Sequence, residues 1–120
     1  MLVKTYESAI VGVNAVTVAV EVTVSPGAAF SIVGLLDSVV KESGQRVSSA
    51  FIESGLKVQN QHIIVNLAPT TSRRRGASYD LPIAIGVLGA SGLVNTDDME
   101  RYVIMGELGL DGSLRSIKGV

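Results

Sequence analysis

Three consecutive arginines, Arg73-Arg74-Arg75, are the densest chemistry in the chain. They hold half of its six arginines in one stretch. Adjacent guanidinium groups bind phosphate oxygens in a bidentate manner, so the stretch suits the phosphates of nucleic acid or a nucleotide. A solvated loop that keeps the surface soluble is the other reading, and composition does not choose between them. The stretch runs through Gly76-Ala77-Ser78-Tyr79 into an expected helix start at Asp80, where the helix dipole adds positive potential. Ser78 has two readings of its own, a nucleophile if a base lies beside it or a helix-capping hydroxyl. His62, the single histidine, opens an expected strand and reads as structural. Glu42 and Arg46 are spaced i,i+4 on an expected helix and read as a solvated pair, worth about 0.3–0.5 kcal/mol.

Other chemistries are excluded. The 120 residues contain no cysteine, which removes disulfides, zinc-thiolate sites and thiol nucleophiles. One histidine leaves no multi-histidine metal site. No G-x-x-x-x-G-K-[ST], H-E-x-x-H or G-x-S-x-G segment occurs, so these residues alone carry no phosphate-binding loop, zinc protease helix or nucleophile elbow. Two Phe and no Trp make a poor base-stacking platform. A formal charge of −1 gives no global basic field. Hydrophobic residues at 47% against charged residues at 18% exclude disorder. No signal peptide and no apolar run of about 18 residues is present, and a reducing, cytoplasmic setting is expected.

The elements that position these residues follow from periodicity. Val16, Val18, Val20, Val22 and Val24 alternate with Thr17, Ala19, Glu21 and Thr23, which predicts a strand with one face on a core. Strands are also expected over Val3–Ile10 and Phe30–Leu35, the three forming an antiparallel meander. Leu36, Val39, Val40, Ser43, Val47, Ala50, Phe51 and Ser54 lie on one helical face, with Asp37 at the N-cap and Gly55 at the C-cap. Gly44 inside this helix costs about 1 kcal/mol against Ala, so a close packing contact is expected there. His62–Leu67 alternates little and reads as a strand covered on both faces. Pro69–Ala77 is a polar loop. A buried second helix is expected from Asp80, read as a capping aspartate, through Pro82 to Gly92. A turn of helix at Thr96–Glu100, a strand at Tyr102–Leu108, a hairpin turn at Asp111-Gly112 and a returning strand at Leu114–Ile117 complete the chain. The order β-β-β-α-β-α-β-β predicts a single α+β domain over 1–120, with two main helices on one side of a mixed sheet.

Four segments together resemble a known family. Val33-Gly34-Leu35-Leu36-Asp37-Ser38-Val39-Val40-Lys41-Glu42-Ser43 is similar to V-G-L-P-D-x-x-V-K-E-S, with Leu36 in the place of Pro. Asn66-Leu67-Ala68-Pro69 matches N-L-A-P. Tyr79-Asp80-Leu81-Pro82-Ile83-Ala84-Ile85-Gly86 resembles F/Y-D-L-P-I-A-L-G. Gly106-Glu107-Leu108-Gly109-Leu110-Asp111-Gly112-Ser113-Leu114-Arg115 resembles G-E-L-S-L-D-G-x-L-R. The pattern is that of the N-terminal domain of the ComM/YifB group of magnesium-chelatase-like AAA+ proteins. The resemblance implies a fold like the Lon protease domain and the ribosomal-protein βαβ superfamily. It implies a fragment of a longer protein, with an ATPase module after Val120. For that parent it implies homo-hexameric rings with ATP and magnesium as cofactors, and DNA as substrate in branch migration and natural transformation. No cofactor or metal is expected in the fragment itself, and no membrane partner. Its partners would be its own AAA+ domain, neighbouring subunits and DNA, the last through Arg73, Arg74 and Arg75. Gly76-Ala77-Ser78-Tyr79-Asp80 also aligns with the Lon-type G-P-S-A-G, placing Ser78 at the nucleophile position. Ala77 stands for Pro and Asp80 for the last Gly, and the partner lysine would fall just after Val120. A vestigial or active Ser-Lys peptidase is therefore the alternative to a non-catalytic domain.

Overall fold

The alternating valines form the centre of the molecule. In a computed structural model, which describes residues 2–11, 14–34, 37–56, 61–68 and 79–115, they lie on β2 (Asn14–Pro26). β1 (Leu2–Val11) pairs antiparallel with β2 on one edge, and β4 (Gln61–Ala68) pairs antiparallel on the other. Val20 lies opposite Thr5 and Leu67, and Val22 opposite Val3 and Val65. Val18, Val20, Val22, Val65 and Leu67 are at most 1% exposed. One face of the sheet is thus apolar across β2 and β4, continued by Val3 on β1, and burying it is the main favourable term in folding.

Both helices lie on that face. α1 (Asp37–Glu53) buries Ser43, Val47, Ala50 and Phe51. It ends at Gly55, φ +73°, with Leu56 N–H donating to Phe51 O (2.9 Å) and Gly55 N–H to Ile52 O (3.1 Å), the paired bonds of a Schellman stop. The contact expected at Gly44 is present: a Cβ there would lie 3.1 Å from the Phe30 ring. α2 (Asp80–Ala90) is apolar nearly all round and is buried at Pro82, Ile83, Ala84, Gly86, Val87, Leu88 and Gly89. The Thr5 hydroxyl donates to Pro82 O (3.0 Å) and ties β1 to its first turn. No helix among the described residues is long and apolar enough to cross a membrane.

The α+β class and element order agree with expectation; three details of the expected sheet do not. β3 (Phe30–Val33) does not extend a meander. It pairs with β4, and in parallel, so the order is β1-β2-β4-β3. The reason lies in α1: a strand–helix–strand crossover returns the chain in the same direction, and β4 enters between β2 and β3. The link from β2 to β3 must then cross over β4. Gly27 does so at φ +153°, where a Cβ would sit 2.8 Å from His62 Cβ. Second, β4 is covered on one face only: Ile64 points away from the helices and is 39% exposed. Third, Tyr102–Leu108 is not one strand. Val103 makes a single parallel bridge with Tyr6, and Ile104 N–H donates to Tyr6 O (2.6 Å). The chain then leaves the sheet at Gly106, which packs so closely on α2 that a Cβ would lie 3.1 Å from Leu81 Cβ. Only Glu107–Leu108 (β5) is strand, paired with β6 (Leu114–Arg115) in a separate two-stranded sheet. A 3-10 turn at Met99–Arg101 stands close to the expected helical turn. The expected loop at Pro69–Ala77 and the strand end beyond Arg115 lie outside the described residues.

Candidate functional site: the Asp80 junction

The sequence reads Asp80 as a helix cap. The structure gives it another role. Asp80 is the first residue of α2, is fully buried, and makes no local cap. Its carboxylate faces α1 and β5. Oδ1 accepts from the Ser43 hydroxyl (2.8 Å) and from Arg46 Nη2 (3.1 Å). Oδ2 accepts from Arg46 Nε (2.5 Å) and from the Leu108 N–H (3.2 Å). Arg46 therefore grips the carboxylate with two donors of its planar fork.

Arg46 is correspondingly not the solvated residue its spacing with Glu42 suggests. Its side chain is 19% exposed, Glu42 is 67% exposed, and the two stand 4.0 Å apart. The tertiary partner wins because burial strengthens the pair while water screens the surface one. The side-chain hydrogen bond to Asp80 holds the Arg46 guanidinium above its ordinary pKa. A raised cation contributes its stability throughout the range below the unfolded value, so the Arg46 charge is kept through neutrality.

An ionised carboxylate offers about four lone-pair positions, and four donors occupy those of Asp80. Asp80 is thus a junction that ties the start of α2 to α1 and β5. A second carboxylate, Glu7, is buried on the helix-facing side of β1 opposite Val18 and is engaged in an interaction. Among the described residues no cluster of three His, Asp or Glu could hold a metal ion.

Arg73, Arg74, Arg75 and Ser78 lie outside the described residues, which resume at the buried Tyr79. His62 is half-buried on β4 and packs beneath Gly27. Sequence spacing did not single out Ser43, Arg46 and Asp80 as a group, because they come from two helices 34 to 37 positions apart. A signal was present all the same. Ser43 ends the first motif segment, Asp80 is the second residue of the third and Leu108 lies in the fourth; all three meet at one carboxylate. The second segment acts elsewhere: Asn66 Nδ2 donates to Glu21 Oε1 (2.8 Å), a cross-strand pair from β4 to β2.

At the tip of the β5–β6 hairpin, Asp111 Oδ1 accepts from Ser113 N–H (2.9 Å) and Gly112 turns at φ +87°. The side-chain and then the backbone hydrogen bond from Ser113 lower the Asp111 pKa. A lowered carboxylate contributes stability above its unfolded value and loses it as pH falls through the folded one. Hydrogen exchange at the Ser113 amide is therefore expected to stay slow at neutral pH and to quicken in acid, relative to neighbouring amides, once Asp111 protonates. Equal behaviour in an Asp111→Asn variant at both pH values would remove this role.

Fold and junction together define a mixed-sheet α+β fold in which three of the four motif segments meet at one buried carboxylate. The chain belongs to the family described as subunit ChlI of Mg-chelatase, whose profile matches residues 20–120. It is 43% identical over 112 residues to the Escherichia coli protein YifB, covering 92% of this chain and 22% of that protein. It is 40% identical over 116 residues to the competence protein ComM of Haemophilus influenzae, covering 96% of this chain and 23% of that protein. A Mycobacterium tuberculosis protein is 30% identical over 118 residues. The chain spans 22% to 24% of the length of these relatives.

Proposed function

We propose that these residues form a non-catalytic domain of a magnesium-chelatase-like AAA+ ATPase of the ComM/YifB type. The domain assists ring assembly or engages DNA during ATP-driven DNA processing. One observation carries this reading: family membership over most of the chain, in relatives more than four times its length. In this reading ATP and magnesium act in the remainder of the parent protein, as a cytoplasmic homo-hexamer. The name of the Haemophilus influenzae relative, a competence protein, fits a task on incoming DNA. The saturated Asp80 carboxylate fits a scaffold more than a reaction centre.

The DNA contacts assigned here are Arg73, Arg74 and Arg75. Each phosphate neutralised releases condensed counterions and steepens the salt dependence of binding by about 0.9 in log–log slope. Replacing all three by Gln is expected to weaken duplex binding by the intact protein and to flatten that slope by roughly 2–3. Binding isotherms across a salt series check this. An unchanged slope rules the three arginines out as phosphate contacts.

A further inference from the structure

The chain contains one Asp-Gly step, Asp111-Gly112, and no Asn-Gly step. An Asp-Gly step is prone to isomerise, because glycine carries no Cβ to shield its amide nitrogen from the neighbouring carboxyl group. The Gly112 nitrogen attacks Asp111 Cγ and a Cγ–N bond forms. The carboxyl OH leaves as water with the amide proton, and a succinimide ring remains. Water then opens the ring at either carbonyl. One product is aspartate again. The other is isoaspartate, with the chain routed through Cβ and Cγ and the former backbone carbonyl left as a free carboxylate. The atoms balance, and water is the only co-reactant.

The step lies at the tip of the β5–β6 hairpin. The base of the hairpin is anchored, since Leu108 is 5% exposed and belongs to the core. Asp111, beyond it, is exposed to solvent. The folded tip nonetheless works against the reaction. The nucleophile is engaged: Gly112 N–H donates to Gly109 O (3.0 Å). So is the electrophile: Asp111 Oδ1 accepts from Ser113 N–H (2.9 Å). The Ser113 hydroxyl bonds the same carboxylate and, with that amide, favours its ionised form, which has no OH to lose. Gly109 N–H to Ser113 O (2.8 Å) closes the turn.

The seat of the tip on α1 is close-fitting. The Ser49 hydroxyl donates to Leu110 O (2.8 Å). A Cβ on Gly112 would lie 2.7 Å from Ser54 Oγ and 3.5 Å from Ala50 O. Isoaspartate at 111 adds one atom to the backbone directly before Gly112. That atom enlarges both hydrogen-bonded rings of the turn and displaces Gly112 from a place with no spare room.

We propose that Asp111-Gly112 is a latent isoaspartate site: the docked hairpin tip preserves it as aspartate, and a chain that isomerises while the tip is open no longer seats the tip on α1. The site thus records past opening of the hairpin tip, whatever the domain binds.

The test incubates the intact protein at neutral pH, folded and in denaturing guanidinium chloride. Peptide mapping separates the aspartyl and isoaspartyl forms of the peptide around residue 111. A protease that cuts before aspartate and not before isoaspartate identifies them. Isoaspartate is expected to accumulate at least about tenfold faster in the unfolded chain, the effect of releasing two ordinary hydrogen bonds. Ser113→Ala is expected to raise the folded rate about fivefold and to leave the unfolded rate alone. In the refolded isoaspartyl form the Gly109 and Gly112 amides are expected to exchange without protection. Equal folded and unfolded rates, or no isoaspartate at 111 in either, overturn the proposal. So does a folded rate that Ser113→Ala leaves unchanged, or native protection of Gly109 and Gly112 in the isoaspartyl form.

Discussion

Replacing Asp80 by Ala is expected to cost the domain about 3–5 kcal/mol, the range for breaking a buried ion pair by removing one partner. The size of the effect comes from what is left behind. Arg46 keeps a charge at a site where its side chain is 19% exposed. The buried Ser43 hydroxyl and the Leu108 N–H lose their acceptor together. No water-filled surface takes over, because Asp80 itself is fully buried. Urea unfolding measures it. With a slope of about 1–2 kcal/mol/M for a protein of this size, the midpoint should fall by roughly 1.5 M or more with the slope preserved. A midpoint shift under about 0.5 M would show that the junction contributes little. Adding Arg46→Ala to the same variant should recover part of the loss, since the cation is then no longer stranded; that recovery is the coupling between the two residues.

The second large effect runs against helix propensity. Gly86 lies within α2, where Ala is preferred by about 1 kcal/mol. The same position faces β2 so closely that a Cβ would lie 2.6 Å from Val22 Cγ2 and 3.2 Å from Val22 Cβ. Val22 is fully buried and, being β-branched, has few rotamers through which to give way. Overpacking of this kind costs about 1–3 kcal/mol, so Gly86→Ala should destabilise despite its better propensity. At roughly 3–5 °C per kcal/mol, melting should fall by several degrees. The sign is the decisive feature: a higher melting temperature in the otherwise wild-type domain would mean that helix and sheet part easily. In a Val22→Ala background the clash is gone, and the same substitution should be neutral or stabilising.

Both effects arise where residues distant in sequence meet, and they mark the boundary of what a single sequence discloses. Five alternating valines announced β2 because a period of two has only one structural meaning over that length. The heptad-like recurrence through Val47, Ala50 and Phe51 announced α1, and Gly55 and Gly92 announced where helices stop. The nearly uninterrupted apolar run from Leu81 to Leu88 announced a buried helix. Gly44 signalled a close contact without saying that Phe30 would make it. These signals are local: each rests on periodicity, capping chemistry or the conformational freedom of one residue.

Pairing partners are not local. Nothing in Phe30–Val33 states that β4 will enter between it and β2, because a strand's edge bonds to any neighbour that the connections allow. Exposure of the second face of β4 depended on both helices choosing the same side. At the candidate site the limit is sharper. An aspartate at a helix start has the same local chemistry whether it caps its own helix or reaches across to another. An arginine four residues after a glutamate reads as a surface pair until burial changes the dielectric around it.

The sequence by itself determined the α+β class, the order of elements, their approximate limits and, through four motif segments, the family. Class, order and limits follow from periodicity, turn chemistry and composition along the chain, whereas the family came from the resemblance of those segments to known motifs. Only the tertiary structure decided the strand order β1-β2-β4-β3, the detachment of the hairpin from the main sheet, and the convergence of Ser43, Arg46 and Leu108 on Asp80. Those outcomes depend on which buried donors and acceptors find one another once the valine face is covered. That competition is settled between residues tens of positions apart.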